Sequence, residues 1–158
     1  MATPAKSLKE DPKVGQTAPE IDIGIEAGDR KQIAESLMVV LADAFTLYLK
    51  THNFHFNITG EMFNSLHTMF EVQYNEQWMA FDEIAERIRA LGYNVPASYE
   101  DFQRLTSIKP GTKVDHTDWR EMVRQLTVGN EAVSRTARQS VWSTLVPGLM
   151  LVRRWKSS

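Results

Sequence analysis

The sequence of 158 residues contains no cysteine. This absence excludes disulfides, thiol catalysis, iron–sulfur clusters and thiolate zinc sites. Any metal must therefore be held by His, Asp or Glu, a ligand set that suits iron, manganese or zinc. An excess of one charge is also lacking, because 18 basic and 20 acidic residues give a net charge of −2. The protein as a whole is therefore not expected to wrap nucleic acid.

Long hydrophobic runs are absent as well. The longest apolar stretch, Val141 to Val152, is interrupted by two hydroxyl residues and by Pro147-Gly148, and it is too short to span a bilayer. The first residues are polar and lack the apolar centre of a signal peptide. We therefore expect a soluble, cytoplasmic protein with one domain, since the length and the 42% apolar content suit a single core.

Helical periodicity dominates the rest of the sequence, and no strand pattern of any length occurs. The first long helix is predicted to start at Asp29, a good N-cap, and to end near Asn57. The second should run from about Met62 to Leu91, where Gly92 suits the position after a helix end. Both are longer than average helices, as is typical of a bundle.

The remaining segments complete an all-α prediction. Residues 1–28 hold three of the six prolines and no sustained period, so we expect a flexible N-terminal arm before a domain at 29–158. A short helix is predicted near 99–105, between the second long helix and a third that starts near Asp115.

The C-terminal segment, residues 139–158, has a different composition. It contains no acidic residue, and Pro147-Gly148 stands in its middle as a helix breaker. We therefore expect at most one short helix there, from about Leu149 to Trp155. The predicted fold is a four-helix bundle with a short extra helix, in which the fourth helix is short or divergent.

Three of the four histidines lie in HNFHFNITGEMFNSLH, residues 52–67. The last of them begins a line of residues on the second helix, spaced three or four apart. This line consists of His67, Glu71, Tyr74, Trp78, Asp82 and Glu86. Since an α-helix turns about 100° per residue, the line forms two potential ligand patches on one side of the helix. The first patch is His67 with Glu71, and the second is Asp82 with Glu86.

Each of these residues also has an ordinary structural explanation. A single histidine on a helix is usually a hydrogen-bonded core or surface residue, and Asp82 with Glu86 could belong to a solvated face. Tyr74 and Trp78 more often serve packing than redox chemistry. The combined pattern, with histidines on two helices and carboxylates four residues away, is more specific than any single member.

The distance between the two patches limits how they can bind a metal. Glu71 and Asp82 are eleven residues apart, which is about 16 Å along a helix, whereas metal–ligand bonds are about 2 Å long. Either there is no shared site, or the second patch comes from another copy of the chain. A two-fold axis would give two equal sites per dimer, and His55 could join the first patch across the turn at Thr59-Gly60.

The segment HFNITGEMFNSLHTMFEVQYNEQWMAFDEIAER, residues 55–87, resembles the signature of the Dps proteins, the small ferritin-like DNA-binding proteins of starved cells. The family pattern has H-[WF]-N, a Gly, a Phe and L-H-x-x-[FL]-[DE]. Eleven residues later follows D-x-[IM]-A-E-R, and every spacing is matched. The similarity extends from about Asp29 to Arg138. It implies a ferritin-like bundle and a hollow dodecamer.

The resemblance also implies a di-iron site with two iron ions between two-fold related subunits. One subunit would supply His55, His67 and Glu71, and its neighbour Asp82 and Glu86. Zinc is a conceivable substitute for iron. The implied function is storage and detoxification of iron by oxidation of Fe(II), preferably with hydrogen peroxide, which protects DNA from oxidative damage.

Two other functions stay open from the sequence. One is a non-enzymatic DNA-compacting protein that uses the arm residues Lys6, Lys9 and Lys13 and associates with the nucleoid, although the arm as a whole is acidic. The other is a helical bundle with an inert or zinc-filled site. The chain also departs from the family pattern, with Phe56 where a Trp is frequent and with residues 139–158 unlike the family's fourth helix. That segment is either divergent or translated from a shifted reading frame.

Overall fold

A computed structural model describes the backbone of residues 21–111 and 113–155, and side chains up to residue 139. Within these residues the chain forms four helices and no strand, which confirms the all-α prediction. The helices are α1 (Ala27–Asn57), α2 (Phe63–Ala90), α3 (Tyr99–Leu105) and α4 (Trp119–Trp155). The short helix lies where it was predicted. The arm residues Lys6, Lys9 and Lys13 lie outside the described part.

Helix α1 is the centre of the bundle, because it packs against α2, α3 and α4. One core cluster, around Phe54 and Phe70, joins the C-terminal half of α1 to α2 and α4. A second cluster, around Leu41, Ile88 and Phe102, joins its N-terminal half to α2 and α3. The two clusters fix α1 and α2 side by side, and this hairpin carries the predicted metal ligands.

The predicted bounds of the first two helices are nearly correct. Helix α1 ends at Asn57 as predicted, but it begins at Ala27, before Asp29, and its N-cap Glu26 makes no side-chain cap. Asp29 instead lies in the first turn, where its charge is favourable to the helix dipole. Gly92 follows the end of α2 with a φ of 89°, a left-handed conformation that suits glycine.

The predicted start of the third long helix near Asp115 is wrong. Asp115 accepts hydrogen bonds from the backbone N–H and the hydroxyl of Thr117, and so closes a local turn. Asp118 then caps α4, because its side chain accepts the backbone N–H of Glu121. Two aspartates three residues apart both suit a helix start, and only the second begins the helix at Trp119.

The predicted break at Pro147-Gly148 is also wrong. Helix α4 continues through this pair to Trp155, so the expected short helix at 149–155 is the end of α4. A proline removes one backbone hydrogen bond, and a long helix can continue past it on the bonds of its other turns. The described residues contain no separate fourth long helix, in keeping with the expectation of a short or divergent one.

Helix α1 is long and apolar enough to cross a membrane by length and composition alone. Half of its most apolar 18-residue stretch, however, is buried within the bundle. Asp43 and Lys50 also lie buried along this helix. These features are those of the core helix of a bundle.

Asp43, in the middle of α1, is fully buried and accepts hydrogen bonds from two other parts of the chain. Its carboxylate receives the hydroxyl of Thr106 at 2.9 Å, and the backbone N–H and hydroxyl of Ser107 at 2.6 and 2.8 Å. The hydroxyl of Thr136 on α4 donates at 3.0 Å. Asp43 thereby ties α1 to the end of α3 and to α4, a role that no local sequence pattern marked.

Replacing Asp43 by alanine is expected to lower the free energy of unfolding by about 3 kcal/mol, because several donors lose their acceptor inside the protein. Urea unfolding followed by circular dichroism, at equal protein concentrations, measures this loss. Glu83→Ala, an exposed change on α2, is the control and should shift stability by less than about 0.5 kcal/mol. Equal stability of the two variants would contradict the role of Asp43.

Lys50 on α1 is a buried lysine, 7% exposed, and its charge interacts with that of Glu121 on α4. Burial lowers its pKa below 10.5, and attraction to Glu121 opposes this effect. We expect Lys50→Met to raise the free energy of unfolding at neutral pH by about 1 kcal/mol, because the cost of burying the charge disappears. The exposed Lys31→Met is the matched control.

The pH dependence gives a second measure of Lys50. Its folded pKa lies below the unfolded value of 10.5, so the unfolded chain binds more protons in the interval between the two. The stability contribution of this residue therefore increases as pH rises through that interval. In Lys50→Met, the free energy of unfolding should no longer rise with pH through this interval. If Lys50→Met is less stable than the wild type at neutral pH, the prediction is wrong.

Candidate metal centre

The turn between α1 and α2 brings two of the predicted ligands, His55 and His67, together. The turn contains Gly60, whose φ of 92° suits glycine. The backbone N–H of Thr59 donates to the carbonyl of His116 at 2.9 Å, which fixes the turn against the segment before α4. His55 is buried, with 7% exposure, and His67 is half-buried. Their rings stack with centroids 3.8 Å apart and an interplanar angle of 24°.

The two histidines hold each other by reciprocal hydrogen bonds. Nδ1 of His55 lies 3.0 Å from the backbone carbonyl oxygen of His67, and Nδ1 of His67 lies 3.0 Å from that of His55. A carbonyl can only accept, so each Nδ1 must carry the proton. In the neutral ring each Nε2 then keeps its lone pair, which is the form in which imidazole binds a metal.

The reciprocal bonds also complete the end of α1. The carbonyl of His55 belongs to the last turn of the helix, where carbonyl groups have no partner within the helix. The ring of His67 supplies that partner. The pair therefore closes the helix end and orients two potential metal ligands with the same bonds.

The three predicted carboxylate ligands are exposed side chains of α2. Glu71 lies one turn after His67, and Asp82 and Glu86 lie in the second half of the helix. Among the described residues of a single chain, no three His, Asp or Glu side chains are close enough to bind one metal ion. The structure thus brings His55 and His67 together and leaves the complete ligand set a prediction.

His52, for which the sequence indicated no ligand role, is enclosed by aromatic rings. It stacks on Tyr74 with centroids 4.0 Å apart and on Phe56 with centroids 4.6 Å apart. Burial and then the nearby His55 lower the pKa of His52, so its neutral form is favoured. His52 packs beside the pair, while the fourth histidine, His116, is exposed.

A set of aromatic rings continues from the histidine pair along α1 and α2. Tyr74 meets His55 edge-on at 5.1 Å between centroids. Tyr48 contacts both Tyr74 and Trp78, at 6.3 and 5.7 Å. Tyr48 was not among the residues that the sequence pattern marked as candidates. The four-residue spacing of Tyr48 and His52 on α1, beside that of Tyr74 and Trp78 on α2, was the available signal.

Comparison with known proteins adds the family. The family model described as the ferritin-like domain matches residues 34–142. The chain is 33% identical over 123 residues to the low temperature-induced protein all0458 of Nostoc sp., covering 78% of this chain and 68% of that protein. It is 40% identical over 79 residues to DNA protection during starvation protein 2 of Bacillus anthracis. That match covers 50% of this chain, which spans about half (54%) of that relative's length.

Solved structures give the same result for the fold. The Dps protein of Vibrio cholerae, described as a member of a broad superfamily of ferritin-like diiron-carboxylate proteins, matches with a TM-score of 0.74. Its sequence identity is 26%, and the match covers 85% of both chains. The family model spans most of the chain, and the relatives and structures agree with it. The chain therefore belongs to the ferritin-like family and is a member of its Dps branch.

Proposed function

We propose that this protein stores and detoxifies iron by oxidising Fe(II), preferably with hydrogen peroxide, at a site shared by two copies of the chain. The observation that carries the proposal is the reciprocal His55–His67 pair, which leaves two Nε2 atoms free on adjacent rings. The pair lies in a chain of the Dps family, and relatives of that family include a described diiron-carboxylate protein. In the proposal, iron is the substrate and the stored cargo.

The second copy is needed for the carboxylates. Helix α2 is continuous from Phe63 to Ala90, so the distance of about 16 Å between Glu71 and Asp82 along its axis applies to the folded chain. A two-fold axis that pairs α2 with its counterpart in antiparallel orientation brings the first patch of each chain to the second patch of the other. Each site then contains His55, His67 and Glu71 from one copy, with Asp82 and Glu86 from its mate.

This ligand set suits the proposed reaction. Two imidazoles and three carboxylates offset part of the charge of two ferrous ions, and carboxylate oxygens bind iron without the permanence of thiolate ligands. Two Fe(II) ions supply the two electrons that one peroxide molecule takes up with two protons to give two water molecules. Consuming Fe(II) and peroxide together removes the reactants that form hydroxyl radical, which is how DNA would be protected.

Storage requires an enclosed space, and we propose a hollow dodecamer in the cytoplasm as the assembled form. An anaerobic titration with Fe(II) tests the site before any chemistry occurs. Binding should saturate at about two ions per subunit, since a two-fold pair contains two equal sites for two ions each. Adding peroxide should then oxidise the bound iron at a ratio of two Fe(II) per peroxide. Failure to bind Fe(II), or binding without oxidation, would overturn the proposal.

Two alternatives have distinct outcomes in simple assays. DNA compaction by Lys6, Lys9 and Lys13 rests on residues outside the described part, and it predicts salt-sensitive retardation of plasmid DNA that deletion of residues 1–15 abolishes. A zinc-filled site predicts that Zn(II) saturates the same positions and that no peroxide-dependent oxidation of Fe(II) follows. The described relatives include a diiron-carboxylate protein, and this favours iron over zinc.

A further inference from the structure

Oxidisable aromatic rings form a continuous path that begins at the proposed metal site. The ring of Tyr74 contacts His55 at 5.1 Å between centroids, and Tyr48 contacts Tyr74 at 6.3 Å. Tyr48 also contacts Trp78 at 5.7 Å, which places the indole at the far end of the path. Phenol and indole are the side chains that lose a single electron most readily, so all three rings between His55 and the end of the path are redox-competent.

The end of the path lies on the surface of the single chain. Trp78 is 53% exposed, although tryptophan is highly buried on average. Its position falls between the two ligand patches of α2, four residues before Asp82 and seven after Glu71. The face that contains Trp78 is therefore the face on which, according to the proposed function, the second copy docks.

The antiparallel pairing in the proposed function fixes what lies opposite Trp78. His67 would face Glu86 of the mate and Glu71 would face Asp82, so the centre of this pairing falls between residues 76 and 77. In the same register, residue 78 of one chain lies opposite residue 75 of the other, one position from residue 74. Trp78 of each chain is thereby placed beside the Tyr74 position of its mate, in the space between the two shared sites.

We propose that Tyr74, Tyr48 and Trp78 carry single electrons between the two shared sites of one two-fold pair. The inference rests on the proposed function, and it adds a role for residues that bind no metal. The role matters for a two-fold pair of chains in which each of the two shared sites holds only one Fe(II). Peroxide at one site needs two electrons, and the single ferrous ion there supplies only one.

The aromatic path supplies the missing electron. Tyr74 at the first site gives up one electron and its phenolic proton, and peroxide takes these together with the electron of the local Fe(II) and one proton from solvent. Two water molecules and two oxidised centres, Fe(III) and the neutral Tyr74 radical, result. An electron from Fe(II) at the second site then passes through Trp78 and Tyr48, and with a proton it restores Tyr74. The sum is two Fe(II) oxidised per peroxide, with no hydroxyl radical released.

The first test uses the metal-free assembled protein, so that it does not depend on iron chemistry. A laser-flashed ruthenium oxidant in solution removes an electron from aromatic side chains, and transient absorption separates tryptophan radicals from tyrosine radicals. In the wild type we expect a tryptophan radical that decays as a tyrosine radical grows. Trp78→Phe should abolish this growth phase, and Tyr48→Phe should slow it, because phenylalanine keeps an aromatic ring at each position but is not oxidised.

Tyr99→Phe is the matched control, since Tyr99 is 62% exposed on α3 and lies outside the path. The size of each assembly is measured in parallel, because Trp78 lies on the proposed docking face. If Trp78→Phe disrupts assembly, the intact Tyr48→Phe variant decides the result. A growth phase that is unchanged in Tyr48→Phe, or reduced equally in Tyr99→Phe, would overturn the path.

The second test loads the wild type with one Fe(II) per site and adds peroxide in the presence of a spin trap. We expect two Fe(II) oxidised per peroxide and no hydroxyl-radical adduct, whereas Tyr48→Phe should produce the adduct. An adduct from the wild type at this loading would overturn the inference. A wild type that fails to oxidise iron even at two ions per site would instead overturn the proposed function, and the metal-free test would still decide whether the path conducts.

Discussion

The double variant His67→Ala with Glu71→Ala is expected to oxidise Fe(II) with peroxide at least about 100-fold more slowly than the wild type. Loss of partners that merely orient a ligand costs 10- to 100-fold in affinity or activity, and this variant removes the ligands themselves. It also removes the ring that stacks on His55 and bonds the backbone carbonyl of His55, whereas the backbone carbonyl that accepts from Nδ1 of His55 remains. Stopped-flow absorbance of ferric product measures the rate.

The assembly should survive this double change, because Glu71 is exposed and His67 is only half-buried. Light scattering and circular dichroism check the size and helix content of the variant. Glu76→Ala with Glu83→Ala, two exposed changes on α2 off the ligand line, is the matched control and should retain the wild-type rate. Unchanged kinetics in His67→Ala with Glu71→Ala would remove the site assignment.

Mixing two inactive variants is expected to restore activity, which a site within one chain could not do. The variant Asp82→Ala with Glu86→Ala should be as inactive as His67→Ala with Glu71→Ala, because each lacks one half of every shared site. In a mixed two-fold pair, one site receives both defective halves and the other receives both intact halves. Equal amounts, unfolded and reassembled together, should therefore regain about a quarter of the wild-type sites.

The restored activity should also follow the composition of the mixture. It is greatest at equal amounts and falls toward zero as either variant dominates, since only mixed pairs contain an intact site. Each variant reassembled alone is the control for the procedure. If the mixture shows no more activity than the separate variants, the ligands do not come from two copies, and the shared site is wrong.

Much of the fold could be predicted from local signals. The ends of α2 follow from a helical pattern that stops at a glycine, and Gly92 adopts the left-handed conformation that this ending requires. The start of α4 could not be chosen, because Asp115 and Asp118 are equally good caps locally. The break predicted at Pro147-Gly148 was wrong, because this local helix breaker removes little of the hydrogen bonding of a long helix, and α4 continues through it.

The candidate site divides in the same way. The spacing of His67, Glu71, Asp82 and Glu86 along one helix predicted two candidate ligand patches and their separation, which depend only on residue order and helix geometry. The reciprocal bonds of His55 and His67 could not be foreseen, because they depend on the turn that places two helix backbones against each other. The same holds for Asp43, whose donors lie more than sixty residues away in the sequence.

The sequence by itself determined that this protein is helical, that any metal it binds must be held by imidazoles or carboxylates, and that one straight helix cannot bring its two candidate ligand patches to one ion. These results follow from residue types and from the fixed rise of a helix. Only the tertiary structure decided which ring nitrogens are free, and that Tyr48 links Tyr74 to Trp78. Protonation and ring contact depend on atoms that are distant in the chain, and folding alone brings those atoms within a few ångströms.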